Sequence, residues 1–597
     1  MSRISFLEMD ARLQAADMRG YPVCPITLLR NVTLENIQIF LRYFAYEAGW
    51  NAQVSFGDYD SVLQEAVSDS KKLFPDSKFI LVYLFLENLS WNIARNFNGL
   101  SMEALQVEKE HVKNYLRLAL EGIRTHTQAP VLWHSFESPV YPADGIGGPQ
   151  RSGGQLETVS ELNDYLKQIL KMQPNTYGID LNSCLARVGY DAYYDRRYWH
   201  LARAPYSQRA LKEIALEDFK FIRALSGNVK KCLVLDCDDV LWGGAAGEAG
   251  LEGIQLGKSY PGSPYYEFQQ EILNLYHRGV ILALCSKNNE QDVWEVFDRH
   301  PEMILQRRHF AAWRINWKNK ADNLRQIAQE LNISTEHLVF ADDSEFEINL
   351  VKEWMPEVLT LHLSRSHAVE FREKLLRLDC FGQISFTAED QSRSQMIQQE
   401  TERRKFQTNH QDLQSYLRSL ELVATLRLAD GVTIPRISQL TQKTNQFNLT
   451  TRRYSESDIR SFAESPNHRV FSLSLRDRFG DAGLVGVFIA ERAGSSNCRI
   501  DTFLMSCRVL GREAEVIFAE RCLTALASEW GVKEWAAEYI PTPKNALAER
   551  FWDQFGFKRK EAKAAQSAVP YSLEESQRIL ISNSIIHVEE EFCGTKS

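Results

Sequence analysis

The stretch KCLVLDCDDVLWGGAAGEAG (231–250) decides how the middle of the chain is read. Cys232–Leu235 is apolar, rich in branched side chains, and stops abruptly at Asp236, with Asp238 two residues on. Such a run bounded by an acid predicts a buried parallel strand whose carboxyl end opens onto a loop. Ligands of open α/β sheets collect at those ends. Two carboxylates at D-x-D spacing divide two tasks: one attacks phosphorus or binds a metal, the other gives and takes a proton.

Three more segments follow in chain order: ILALCSKNN (281–289), ending in Ser286; NWKNKADNL (316–324), with Lys318 and Lys320; and HLVFADDSEFE (337–347), with Asp342 and Asp343. They supply a hydroxyl, a fixed cation and further oxygen ligands of the kind Mg²⁺ takes. A phosphoryl group in transfer needs its negative charge balanced in this way. A lone D-x-D is weak evidence; strand-DxD, strand-Ser, Lys and strand-DD in this order is far more specific.

The order resembles the haloacid dehalogenase (HAD) superfamily. The resemblance implies Asp236 as nucleophile and Asp238 as acid/base. It also implies phosphate binding by Ser286, Lys287, Asn288 and Lys320, and Mg²⁺ held by Asp236, Asp238, Asp342 and Asp343. Lys320 is preferred to Lys318 because it stands just ahead of the helical stretch ADNLRQIA. Asp239-Val240 departs from the Asn-Thr or Gly-Thr of many members. The wording of residues 231–257, INWKNKADNL, RISQLTQKTNQFNLTTRRY (436–454) and FLMSCRVLGREAE (503–515) is similar to FkbH-like proteins. That resemblance implies an enzyme that dephosphorylates D-1,3-bisphosphoglycerate and loads a glyceryl unit on an acyl carrier protein for polyketide or related biosynthesis. It leaves open direct thiolate attack or transient phosphorylation of Asp236. Cys237 is the favoured thiol by proximity, ahead of Cys285 and Cys507, although strand alternation turns it from the metal and its acidic neighbours raise its pKa. The alternatives are a plain Mg²⁺-dependent phosphatase acting on a sugar phosphate, and a non-catalytic carrier-protein scaffold.

Outward from this centre, the 597 residues predict several domains. Residues 1–225 read as an α/β unit with strands at 78–86, 129–136 and 176–185. They resemble a degenerate SGNH-hydrolase-like domain in which Arg30-Asn31 replaces the serine context; Asp195 and His200 read as stray polar residues. Residues 226–375 form the HAD-like α/β unit, 376–418 a helical connector, and 419–597 an α+β unit resembling GNAT acyltransferases. There Arg508, Gly511 and Arg512 are expected to hold a phosphopantetheine pyrophosphate at a helix N-terminus. Two strands, 469–480 and 482–494, are expected to pair around Asp481. Asn445, Gln446 and Asn448 read as binding groups or turn formers.

A net charge of −9 gives no general pull towards nucleic acid or anionic membrane. The longest apolar run, Phe79–Leu86, is too short to span a bilayer. Ten scattered cysteines without a CxxC pair, and an N-terminus unlike a secretory signal, predict a cytoplasmic protein with reduced thiols.

Overall fold

The computed structural model describes residues 4–68, 76–150, 152–382, 412–506, 509–542, 544–560, 568–581 and 585–591. The chain divides into two compact units, Met1–Ser226 and Gly227–Ser597.

The first unit holds a parallel sheet of β1 (Val23–Arg30), β2 (Asn51–Phe56), β3 (Phe79–Tyr83), β4 (Val131–His134) and β5 (Thr176–Ile179), in the order β2-β1-β3-β4-β5. Its strand residues alternate between two cores. Leu28, Leu81 and Leu132 enter one, and Leu29, Val82 and Trp133 the other. Helices therefore cover both faces and make three layers. The strand expected over 176–185 stops at Ile179. Asp180 then caps a helix, Leu181–Val188, by accepting from the Asn182 amide at 3.0 Å. A short apolar run does not by itself distinguish strand from helix, and here the cap decides.

The second unit opens with β6 (Cys232–Leu235), β7 (Ile281–Ser286), β8 (Phe310–Ile315), β9 (Leu338–Asp342) and β10 (Leu359–His362), all parallel, in the order β10-β9-β6-β7-β8. The chain leaves β6 towards β7 and β8, then returns to place β9 on the other side of β6. That reversal makes the β6/β9 junction the switch point of the sheet, and Asp236 and Asp342 both end on it. Cys232, Val234 and Phe340 face one core; Leu233, Leu235 and Val339 face the other.

The C-terminal part is a mixed sheet: β11 (Val423–Leu428), β12 (Phe447–Asn448), β13 (His468–Asp477), β14 (Gly480–Arg492), β15 (Asn497–Met505), β16 (Glu534–Tyr539), β17 (Lys558–Arg559), β18 (Val569–Glu574) and β19 (His587–Glu590). β13 and β14 form the expected antiparallel pair, but the turn lies at Arg478-Phe479 and Asp481 belongs to β14. The helix Ala514–Trp530 packs on the sheet. Most of the expected connector, 376–418, lies outside the described residues; Leu413–Ser419 is helical. No helix among the described residues is long and apolar enough to cross a membrane.

Candidate active site

Asp236 leaves β6 with its amide bonded to the Ala341 carbonyl at 3.0 Å, which sets it level with Asp342 at the end of β9. The helix Lys320–Glu330 begins at Lys320, with Asn319 as its cap, and this aims the lysine inward. Lys320 is 2% exposed. Its Nζ donates to Asp236 Oδ2 at 2.7 Å and to Asp342 Oδ2 at 2.6 Å. Lys318, two residues earlier, is exposed, so of the two lysines the site contains Lys320.

Oxygens of Asp236, Asp342 and Asp343 lie within 4.8 Å of one another. One buried ammonium thus faces three carboxylates. Burial and the Asp236 charge, against the pull of Lys320, push the Asp342 carboxyl up to about 7. Burial and the charges of Asp236 and Asp239 push Asp343 up to about 6. Burial opposes the charge on Lys320, yet Asp236 and Asp342 hold its pKa above the ordinary lysine value. Hard oxygen donors carrying surplus negative charge fit a small divalent cation such as Mg²⁺.

The loop after Asp236 is built on two backbone devices. Asp239 adopts φ 53°, a left-handed conformation that Asp tolerates, and the Leu241 amide closes onto the Cys237 carbonyl at 2.8 Å. The chain then folds back so that Trp242 bridges Asp238. Gly243 pairs with Gln255, where a Cβ would come within 2.9 Å of Tyr265 and closer to Gln255. Asp238 is thereby held by its own set of donors. Its Oδ1 accepts from Trp242 Nε1 at 3.0 Å and from the Ala246 amide at 3.1 Å, and its Oδ2 accepts from Asn288 Nδ2 at 2.8 Å. Expected among the metal ligands, the Asp238 carboxylate lies outside the three-carboxylate group. Burial raises its pKa.

The remaining expectations divide. Ser286 ends β7 buried beside Cys237. Lys287 is pinned by Glu347, Nζ to Oε1 at 2.6 Å. Asn288 spends its amide on Asp238. Cys237, expected as the acyl acceptor, stands in the core. Its side chain is 0% exposed in the core with Leu235, Val240 and Trp242, and burial, then Asp236 and Asp238, push the thiol well up. Cys285 is buried likewise, with its thiol raised by burial. Cys507 lies outside the described residues.

The expected pyrophosphate loop is described in part. Arg512 is buried and its guanidinium pairs with the buried Asp477 carboxylate at 3.3 Å. Gly511 is exposed with φ 80°, and Arg508 lies outside the described residues. β15 and β16 run parallel only over Asn497–Arg499, and the wedge beyond is filled by the chain itself. Phe447 and Asn448 pair with Met505 and Leu504, and the Ile540 amide donates to the Leu449 carbonyl at 2.8 Å. Asn448 is therefore a structural residue: its carbonyl accepts from Asn545 Nδ2 at 2.9 Å. Asn445 accepts from Arg453 at 3.0 Å; Gln446 is exposed.

In the first unit, Asn31 stands where the nucleophile of an SGNH enzyme is expected, and it is fully buried, bridging to Phe85. Asp195 caps a helix through the Tyr198 amide and His200 is exposed, as their reading as polar bystanders requires. Trp242 escaped the sequence reading. Its one signal was a lone indole four residues beyond Asp238.

No family model matches the chain, and no curated protein matches it in sequence. Among solved structures it is similar to the N-terminal part of the protein BF1531 from Bacteroides fragilis, which contains a phosphatase domain and was crystallised with Mg. The two are 27% identical with a TM-score of 0.58, over 64% of this chain and 100% of that one. A GNAT-family acetyltransferase from Desulfovibrio desulfuricans aligns over 26% of this chain and 99% of its own at 12% identity, and its TM-score of 0.22 is too low to carry a reading. The first likeness and the site geometry support a phosphatase domain of HAD type.

Proposed function

We propose that the chain is an FkbH-like, Mg²⁺-dependent enzyme that takes D-1,3-bisphosphoglycerate, removes its phosphates and leaves a glyceryl thioester on an acyl carrier protein. The observation that carries the phosphatase half is the meeting of Asp236, Lys320, Asp342 and Asp343 at one switch point, with carboxylates in surplus. The BF1531 neighbour, crystallised with Mg, supports Mg²⁺ as the ion. Asp236, Asp342 and Asp343 would hold it, and when bound it would neutralise phosphate oxygens.

At the phosphate ester, an Asp236 oxygen bonds to phosphorus as the bond from phosphorus to the substrate oxygen breaks. The departing oxygen takes the proton of the Asp238 carboxyl. Water then bonds to phosphorus, the bond to Asp236 breaks, and the Asp238 carboxylate takes a proton from that water. Lys320 keeps the Asp236 carboxylate aimed. At the acyl phosphate, a thiolate bonds to the carbonyl carbon and phosphate leaves with the electron pair of the broken carbon–oxygen bond. The described cysteines are all buried, which favours a thiol supplied by the phosphopantetheine of the carrier. The similarity in wording over 231–257, 436–454 and 503–515 supports this choice of substrate and carrier.

The test is incubation with D-1,3-bisphosphoglycerate, Mg²⁺ and holo-carrier, followed by intact-mass measurement of both proteins. A carrier heavier by one glyceryl group is expected, with Asp236→Asn giving no glyceryl product. Phosphate release without any gain on the carrier would leave a plain phosphatase. No phosphate release at all would leave a scaffold.

A further inference from the structure

We propose that Trp242 and Asn288 are positioning residues that hold Asp238 as the proton donor to the departing oxygen, and that Asp238 transfers that proton through Oδ2. The inference rests on the phosphatase reading above and concerns the same site.

Three N–H groups surround the Asp238 carboxylate: the Trp242 indole, the Ala246 amide and the Asn288 carbamoyl. None of the three can accept a proton. The Trp242 ring is fully buried and packed edge-to-face on Phe297, with ring centres 5.6 Å apart, so its single donor has one direction. Asn288 is 5% exposed, and its Oδ1 accepts from the Asn289 amide at 2.9 Å. That bond orients the carbamoyl group so that its NH₂ points at Asp238. Oδ1 of Asp238 already takes two donors, while Oδ2 takes one and keeps a lone pair for a proton. Asn288 thus acts on the acid and not on the substrate phosphate.

A residue that merely supports the fold would slow every substrate alike. A residue that aims a proton matters in proportion to how basic the departing oxygen is. The experiment measures kcat/KM for acetyl phosphate, 4-nitrophenyl phosphate and phenyl phosphate, in order of rising leaving-group basicity, for the full chain with Mg²⁺. Asp238→Asn sets the reference, with a loss that steepens along the series towards about 10²-fold or more. Trp242→Phe and Asn288→Leu are expected to follow the same trend at about tenfold on phenyl phosphate, the scale of one hydrogen bond to a charged group. On acetyl phosphate they should lose several-fold less, with KM for every substrate little changed. Should Trp242→Phe fold poorly, benzothienylalanine at position 242 keeps the ring shape and deletes only the N–H.

Equal losses on all three substrates would overturn the inference. So would a general rise in KM for Asn288→Leu, which would make Asn288 a phosphate ligand. A flat series in Asp238→Asn itself would instead remove the acid role given to Asp238 in the phosphatase reading.

Discussion

The chain contains two five-stranded parallel sheets, and polar groups crowd the carboxyl ends of both. At the first, His134, Asp218, Tyr83 and Glu137 each have a partner. His134 Nδ1 donates to the Val82 carbonyl at 2.8 Å, and Nε2 lies 2.6 Å from Asp218 Oδ1. Tyr83 donates to the other oxygen of Asp218 and stacks on the imidazole at 3.8 Å. Glu137, its pKa raised by burial, accepts from Tyr206 at 2.6 Å. At the second, one lysine serves two carboxylates and a third stands beside them. Burial of polar groups is common to both places. What sets the second apart is charge left over, which a structural network avoids because uncompensated buried charge is costly. Reactive sites keep such an imbalance, and a bound cation and an anionic substrate relieve it.

The comparison fails outright if charge at the second sheet is dispensable. Asp236→Asn is expected to reduce phosphate release on the order of 10⁴-fold, as loss of a nucleophile does; steady-state phosphate assays would expose a smaller effect. At the first sheet the same kind of change should affect folding alone. Asp218→Ala strands a buried imidazole and a phenol, and should cost about 3–5 kcal/mol in chemical denaturation. Phosphate release per folded molecule should be retained, and a parallel loss of turnover would give the first sheet a part in the chemistry.

The third expectation concerns pH. Asp342 titrates at about 7 when folded against 3.8 in the unfolded chain, so the native state binds more protons between those values. Its contribution to stability therefore falls as pH rises from about 4 to about 7. In metal-free protein, Asp342→Asn should flatten the decline of Tm with pH over that window, despite deleting an ion pair with Lys320. Mg²⁺ should flatten it in the unchanged protein. Identical slopes with and without Asp342 would mean that the acids are not in surplus. The smallest effect is expected at Cys237. Replacing it by Ala deletes one buried sulfur, costs about 1 kcal/mol, and should leave carrier loading in place. Loss of glyceryl transfer with phosphate release intact would restore the thiol to the mechanism.

Much of the second sheet was legible beforehand because its information is local. LVLD, LALCS and VFADD each show an apolar run and the polar residue that ends it within a few positions. The choice of Lys320 over Lys318 was legible from the helix that follows. The fate of Arg512 was not, because its partner Asp477 lies on a strand 35 residues earlier. Nor was the insertion of Phe447–Leu449 between β15 and β16, strands that lie far along the chain from it. The strand assigned to 176–185 failed on one capping carboxylate, Asp180.

From the order of residues alone came the strand ends, their chemistry and their succession along the chain, since burial and periodicity act over a few neighbouring positions. Folding alone decided which charges meet: that Lys320 lies between Asp236 and Asp342, that Asp238 turns to Trp242 and Asn288, and that Cys237 points into the core. Electrostatic interaction depends on distance in space, and residues 84 apart in sequence stand 2.7 Å apart here only because β6 and the start of the Lys320 helix share one end of a sheet.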